Sequence, residues 1–254
     1  MIRPVRFLLL ALLALLLTLP AAVSAERVAS LPAFAPSSSA RFEIANAING
    51  DAFVVGRGEV ITPRRMHYML RTVPFPGEAE ESIEVVIYDG RVYFRENDGP
   101  RWTAQLLSGD VINPVVELVQ GAEEVGPIEQ LGSITIDGVV TDQYQILVGD
   151  PADPPFVTAD LWIGQQRSYL YQSQITEHHS DPDLGSFRLE IVARAYAFDD
   201  PTITITPPNP ADVDPISGPV PWSVAPRARL TTAQVSPLAL MSARTEQAQR
   251  QVQR

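Results

Sequence analysis

The sequence predicts a mainly β protein with a few helices, of the α+β class. Its core is one curved antiparallel sheet, with a short helical insertion covering its apolar face. Three observations predict it. Apolar and polar residues alternate with period two through roughly ten short segments, the mark of strands with one buried face. Tight turns separate these segments at Asn49-Gly50-Asp51, Asp89-Gly90 and Asp137-Gly138, and glycine supplies the positive φ that such hairpins require. The alternation gives way to helical spacing once in mid-chain, between Gln105 and Gln120. A large sheet must cover its apolar face, and that segment is the cover the sequence offers.

Residues Glu26 to Ser39 are proline-punctuated and serine-rich, and read as a leader or a poorly formed helix. From Ala40 onward, Phe42 and Ile44 face one way while Arg41 and Glu43 face the other. Ala52 to Ile61 form the next strand, closed by Pro63. Met66, Tyr68 and Leu70 then alternate with His67, Met69 and Arg71. After a loop from Pro74 to Glu81, Ile83, Val85 and Ile87 alternate with Glu84, Val86 and Tyr88. The hairpin returns through Arg91 to Glu96, with Val92 and Phe94 on one face and Tyr93 on the other. Arg101-Trp102 follow a turn at Asn97 to Pro100.

Gln105 to Gln120 reads as one or two short helices broken near Asn113. Asn113-Pro114 makes a cap and first-turn pair, and Gly121 a stop. A mixed connector runs to Gly132, and strands resume at Ser133. Tyr144, Ile146 and Val148 line one face of the next strand; Val157, Ala159, Leu161 and Ile163 line one face of its neighbour. Tyr169 to Thr176 are its partner. After a polar loop, Glu177 to Gly185, the alternation returns at Phe187, Leu189, Ile191 and Ala193. Ile203 to Thr206 reads as a last edge strand. Past Pro207 the chain becomes a proline-rich linker and then a polar tail.

The start of the chain reads as a secretory signal peptide. Arg3 and Arg6 precede an apolar run from Phe7 to Leu19, and Val23-Ser24-Ala25 forms a small-residue cleavage site. The expected organisation is therefore a signal peptide at 1–25, a leader at 26–39, a curved-sheet domain at 40–206 and a linker with tail at 207–254. The chain has no cysteine, so neither a disulfide nor lipid attachment at a cysteine is available to it. We expect an exported protein, secreted or held in a periplasm or cell envelope. Its formal net charge of −11 argues against nucleic acid and against adsorption to anionic headgroups, although transient membrane contact is compatible with a carrier.

Catalysis needs positioned groups of suitable pKa, and none stands out. His67 lies on a strand among arginines and reads as a surface or partly packed residue. His178 and His179 are adjacent, so on a strand they point to opposite faces and are poorly placed to share one ion. No serine lies in a G-x-S-x-G setting, and no glycine-rich phosphate loop is present. Glu80-Glu81, Glu123-Glu124 and Asp199-Asp200 read as solvated loop charges. We expect no enzyme, no metal and no cofactor.

Four passages resemble LolA-like periplasmic carriers, and within them the LppX and LprG type of lipid-carrier lipoprotein. They are SARFEI (Ser39 to Ile44), YDGRVYFRENDGPRW (Tyr88 to Trp102), IDGVVTDQYQI with TADLWIGQQRSYLYQSQI, and FDDPTITITPP (Phe198 to Pro208). The resemblance spans about Ser39 to Pro208 and rests on the ordered set, since no single passage is specific. It implies a strongly curved half-barrel of antiparallel strands wrapped around an apolar cavity and closed by helices over the concave face, and carriage of acylated or multi-chain lipids. Two departures are visible. Ala33 to Ser39 is too short and proline-broken to supply the amphipathic helix that usually opens the family, and the lipidated cysteine of the LppX and LprG type is missing.

Under this reading the cavity candidates are Phe42, Ile44, Tyr68, Leu70, Ile83, Val85, Ile87 and Phe94 on the first half of the sheet. Trp102, Leu106, Val116 and Val119 would come from the insertion and its approach. Tyr144, Ile146, Leu161 and Trp162 would come from the second half. The expected partners are lipid or acyl chains, with an envelope protein partner also open. Two other readings remain: an RseB-like envelope sensor or protein-interaction module on the same fold, and a structural envelope domain with a filled core.

Overall fold

A computed structural model describes residues 25–74, 79–108, 111, 114–117, 119, 126–182 and 185–221. Residues 1–24 of the expected signal peptide (1–25), and 222–254 of the expected linker and tail (207–254), lie outside these residues. The described chain is mostly strand, with one short helix, and its strands make a single open, curved sheet.

The strands are β1 (Glu26–Val28), β2 (Ser39–Ile48), β3 (Asp51–Ile61), β4 (Arg65–Thr72), β5 (Ser82–Tyr88), β6 (Arg91–Glu96) and β7 (Trp102–Ser108). They continue as β8 (Ile128–Ile136), β9 (Val139–Val148), β10 (Phe156–Gly164), β11 (Leu170–Asp181), β12 (Gly185–Tyr196) and β13 (Val213–Pro221). The helix α1 is Pro114–Glu117. The sheet order is β1-β8-β9-β10-β11-β12-β2-β3-β4-β5-β6-β7-β13. Two antiparallel meanders, β2 to β7 and β8 to β12, are thus joined side by side through the β12–β2 pair. The three expected glycine turns join their strands with both central residues at positive φ: Asn49 and Gly50 at 53° and 88°, Asp89 and Gly90 at 43° and 83°, Asp137 and Gly138 at 50° and 80°. That is the mirror-image turn whose twist matches the strands it links.

This order has a consequence for the insertion. β7 and β8 are separated by ten interstrand spacings, which would be about 48 Å in a flat sheet. Residues 109–127 connect the two strands. Val111 N donates to Pro63 O (2.8 Å) beside the β3–β4 turn. Ser173 Oγ on β11 donates to Val115 O (3.4 Å). Val111, Val115 and Val119 are all buried in the main apolar cluster.

Several expectations are corrected here. Gln105–Ser108 is strand, not helix. The adjacent Leu106 and Leu107 suggested helical spacing, but Gln105 and Leu106 pair with Val92 and Arg91, and Leu107 N donates to Gly90 O. Ile128–Gly132, expected as connector, belongs to β8, and most of the expected polar loop 177–185 belongs to β11 and β12. Ile203–Thr206 forms no ladder; it runs extended across the sheet and buries Ile203 and Ile205. Glu26–Val28 is strand rather than poor helix, antiparallel to β8. The sheet also continues past the expected boundary at 206, because β13 pairs with β7, in parallel. Both additions are edge strands, which need only backbone pairing on one side and so leave little trace in side-chain pattern. Among the expected helical residues, 109, 110, 112, 113, 118, 120 and the stop at 121 lie outside the described chain.

Candidate functional site

Following the cross-strand register gives the inner face row by row. At one end Ala40, Val60, Met66, Ile87 and Val92 form a row across β2 to β6, each 0% exposed. The next row holds Ala195, Phe42, Gly58, Tyr68, Val85 and Phe94, all buried except the half-buried glycine. The third runs from Tyr144 and Leu161 through Ser173 and Ala193 to Ile44, Gly56, Leu70 and Ile83. There Ile44, Gly56 and Leu70 are only half-buried. In the fourth row Ile128, Ile146 and Ala159 are buried, whereas Ile175, Ile191 and Asn46 are half-buried. The inner face is therefore sealed at one end and partly open toward the other.

Two glycines shape the sealed half. A Cβ at Gly58 would lie 2.4 Å from His67 O, 2.5 Å from Tyr68 Cβ and 2.7 Å from Phe42 Cζ. At Gly56 it would lie 2.3 Å from Leu70 Cδ2 and 2.9 Å from Ile44 Cγ2. Their missing side chains let Phe42 and Tyr68 meet across β3, with ring centroids 6.3 Å apart. Such glycines within a strand mark close approach by a neighbour. The polar residues within these four rows are few: Tyr68, Ser173, Tyr144 and Asn46. Burial, and secondarily the charge of Asp142, pushes the Tyr144 hydroxyl above its ordinary pKa, so it stays protonated.

The outer face holds a second cluster: Val86, Tyr93, Trp102 and Ala104 beneath Ile203 and Ile205. It also carries a charge network. Glu84 Oε1 lies 2.8 Å from His67 Nε2, and its Oε2 accepts from Arg95 Nε at 2.6 Å. Burial pushes the Glu84 carboxyl up, but His67 and Arg95 outweigh it and hold it below the ordinary value. The Arg95 guanidinium sits 4.7 Å from the Trp102 ring centroid. The expected metal candidates are parted by the sheet: His178 stacks on Phe156 (4.2 Å) and His179 on Phe187 (4.9 Å), and adjacent strand positions face opposite sides.

Most candidate cavity residues lie on the inner face. Phe42, Tyr68, Ile83, Val85, Ile87 and Phe94 are in its cluster, as are Val119, Tyr144, Ile146 and Leu161. Ile44, Leu70 and Val116 pack against it half-buried. Three are corrected. Trp102 belongs to the outer cluster. Leu106, two residues further along β7 on the same side, is 41% exposed. Trp162 alternates with Leu161 and Ile163, so it faces outward from β10 although it is buried. The strand at β7 reverses the first two, and for Trp162 the apolar ring was read as inward when the period-two phase placed it out.

In the sealed row the sequence reading set Ala40 and Met66 on the inward phase and named Ile87, but did not name Ala40, Val60 or Met66 as cavity candidates. It also missed a latch at Asp199. That carboxylate accepts from Ser38 N (2.7 Å), Ser38 Oγ (2.8 Å) and the Tyr169 hydroxyl, and Tyr169 stacks on Phe198. The hydrogen bond from Tyr169, with those from Ser38, holds Asp199 below its ordinary pKa. Asp200 accepts from Arg41 Nη1 at 2.8 Å. The pair thus ties the β12 end to β2 rather than idling in solvent.

No family model matches the chain, and no curated protein matches it. Among solved structures it is similar to LprF from Mycobacterium bovis, at 14% identity over 68% of this chain and 90% of that one, with a TM-score of 0.42. It is similar to the lipoprotein LppX of Mycobacterium tuberculosis, at 16% identity over 67% and 90%, TM-score 0.34. A LolA superfamily protein from Nitrosomonas europaea follows at 10% identity over 69% and 90%, TM-score 0.21. These likenesses fall in the family group the sequence resembles. At such identities and TM-scores, no statement about ligand or activity rests on them.

Proposed function

We infer that this chain is a non-enzymatic carrier that binds lipid or acyl chains against the inner face of its sheet. One observation carries the reading: the gradient of burial from a sealed apolar row at Ala40, Val60, Met66, Ile87 and Val92 to a half-exposed apolar rim at Ile44, Leu70, Ile175 and Ile191. On this reading a hydrocarbon tail enters at the half-exposed rim and lies toward the sealed row. Each methylene buried there contributes about 0.8 kcal/mol, so a chain of ordinary length needs no charged anchor. On this reading the insertion carrying Val111, Val115 and Val119 is the movable cover, and it covers the inner face. The half-barrel is then the working domain and its compartment is outside the cytoplasm, reached through the N-terminal signal. The resemblance to lipid carriers read from the sequence agrees.

The test is uptake by delipidated protein. A fluorescent fatty acid should bind and be displaced by unlabelled fatty acid, and native mass spectrometry of material from the source organism should show co-purifying lipid. Ile175→Glu, which sets a carboxylate in the rim, should weaken uptake at least tenfold. Leu106→Glu, on the outer face, should leave it unchanged. Absence of both uptake and co-purifying lipid would overturn the reading in favour of a filled structural core.

A further inference from the structure

We propose that the outer face carries a separate binding site for a single-chain amphiphile with an anionic head. An open groove of about 590 Å³ crosses β11, β12, β2, β3 and β4 on that face, within the usual range for small-molecule sites. Two outward-facing register rows build it. One runs Gln172, Arg194, Glu43, Arg57, Met69; the other contributes Val192, Ala45, Val55 and Arg71. The groove thus has an apolar strip, Val192–Ala45–Val55, flanked by three arginines and a single carboxylate. Glu43, Glu80 and Asp137 balance these three arginines in number, so the groove is near neutral on a chain of net charge −11.

Its donors are not all spent on the protein. Arg71 reaches Glu80 at 3.5 Å, and Arg194 Nη2 pairs with Asp137. Arg57 is exposed and makes no ion pair among the described residues. The Nε of Arg194 is buried and finds no acceptor, and the same holds for Nε1 of Trp162. Trp162 lies in the same row, paired with Gln172. Buried donors are nearly always satisfied; of these two, only Arg194 lines the groove, and its Nε marks where an acceptor belongs. A carboxylate or phosphate monoester set across Arg57 and Arg194 supplies it through charge-assisted bonds, while its chain lies along Val192, Ala45 and Val55. The apolar strip distinguishes this ligand from a free anion, and the arginines distinguish it from a neutral lipid. Ile44 and Gly56 also line the groove, each between two of its row residues in sequence, and the site stands whether or not the inner face carries lipid.

The test is calorimetric titration of the protein with decyl phosphate as monomer, beside decanol, inorganic phosphate and anionic phospholipid vesicles. We expect decyl phosphate to bind at least tenfold more tightly than decanol or inorganic phosphate, and to weaken as salt is raised. Arg57→Gln with Arg194→Gln should lower its affinity at least tenfold, and so should Val55→Trp, which fills the groove. Ile175→Glu, on the inner rim, should leave it unchanged, so loss of inner-face uptake and loss of this site are separable. In the unsubstituted protein the Arg194 Nε–Hε resonance should move on binding, a readout that needs no variant to fold. Equal binding of decanol or of inorganic phosphate, a smaller loss in the double variant, a still resonance, or binding to vesicles alone would each overturn the proposal.

Discussion

Asp160 is a carboxylate in the wrong solvent. It sits on the outer side of β10, where Gln143 and Gln145 donate to its Oδ1 at 3.3 and 3.0 Å. Burial pushes its pKa above the ordinary 3.8, and the two amides only partly offset this. A raised carboxyl pKa means that the ionised form costs stability above that pKa, and that the cost fades as pH falls through it. Asp160→Asn keeps the acceptor and removes the charge. It should raise the melting temperature at pH 7, and the gain should shrink to nothing as pH approaches 3.8. An unchanged or lower melting temperature at pH 7 would show that the amides already compensate. Glu84 is the opposite case, held below its ordinary pKa, so its contribution is present at neutral pH and lost as pH falls through that lowered value. Glu84→Ala strands Arg95 and His67 and should cost about 1 kcal/mol at pH 7 in denaturant unfolding, with little effect once pH is low enough to protonate the parent.

At the level of elements, the bend of the sheet depends on β3. Gly58→Ala would force a Cβ to within 2.4 Å of His67 O. Backbone and a ring occupy that space, so the strand must shift. We expect a loss of about 1–3 kcal/mol, as for other overpacking changes, seen as a lower denaturation midpoint with an unchanged slope. β13 adds a different term. It pairs in parallel with β7 through a ladder with two register shifts, and Arg101 holds Asp214 at 2.6 Å on the exposed rim. A chain ending at Asn209 should keep the inner cluster yet bare the β7 edge. It should melt lower and self-associate more than a chain ending at Pro221, as sedimentation would report.

These same elements show what could be read beforehand. The long alternating strands and the three glycine turns were legible because one buried face enforces period two, and because only a few residues tolerate left-handed φ. The phase on β2, β4, β5 and β9 followed from the same rule. β1 and β13 were not legible. Three residues are too few for a pattern, and an edge strand punctuated by Pro215, Pro219 and Pro221 reads as linker. Gln105–Ser108 failed because Leu106-Leu107 fits either period over so short a stretch, and only pairing with Arg91 and Val92 decides it. The sealed and open ends of the inner face were hidden for another reason. They depend on which rows line up across ten strands, and register is a property of the assembled sheet.

For the whole molecule, the topology sets the claim. The thirteen strands make one open, curved sheet, and such a sheet leaves its apolar face either filled or available. The burial gradient along that face favours availability at the Ile175 end. Photo-crosslinking with a diazirine-bearing fatty acid measures this most directly, because adducts mapped by peptide mass spectrometry report which side chains the hydrocarbon touches. It is best done on the Arg57→Gln, Arg194→Gln variant, where the outer groove contributes nothing. We predict adducts on inner-face peptides holding Ile44, Leu70, Ile146 and Ile175, competed away by unlabelled fatty acid. Adducts confined to outer-face residues such as Leu106, or none that unlabelled lipid competes, would contradict it.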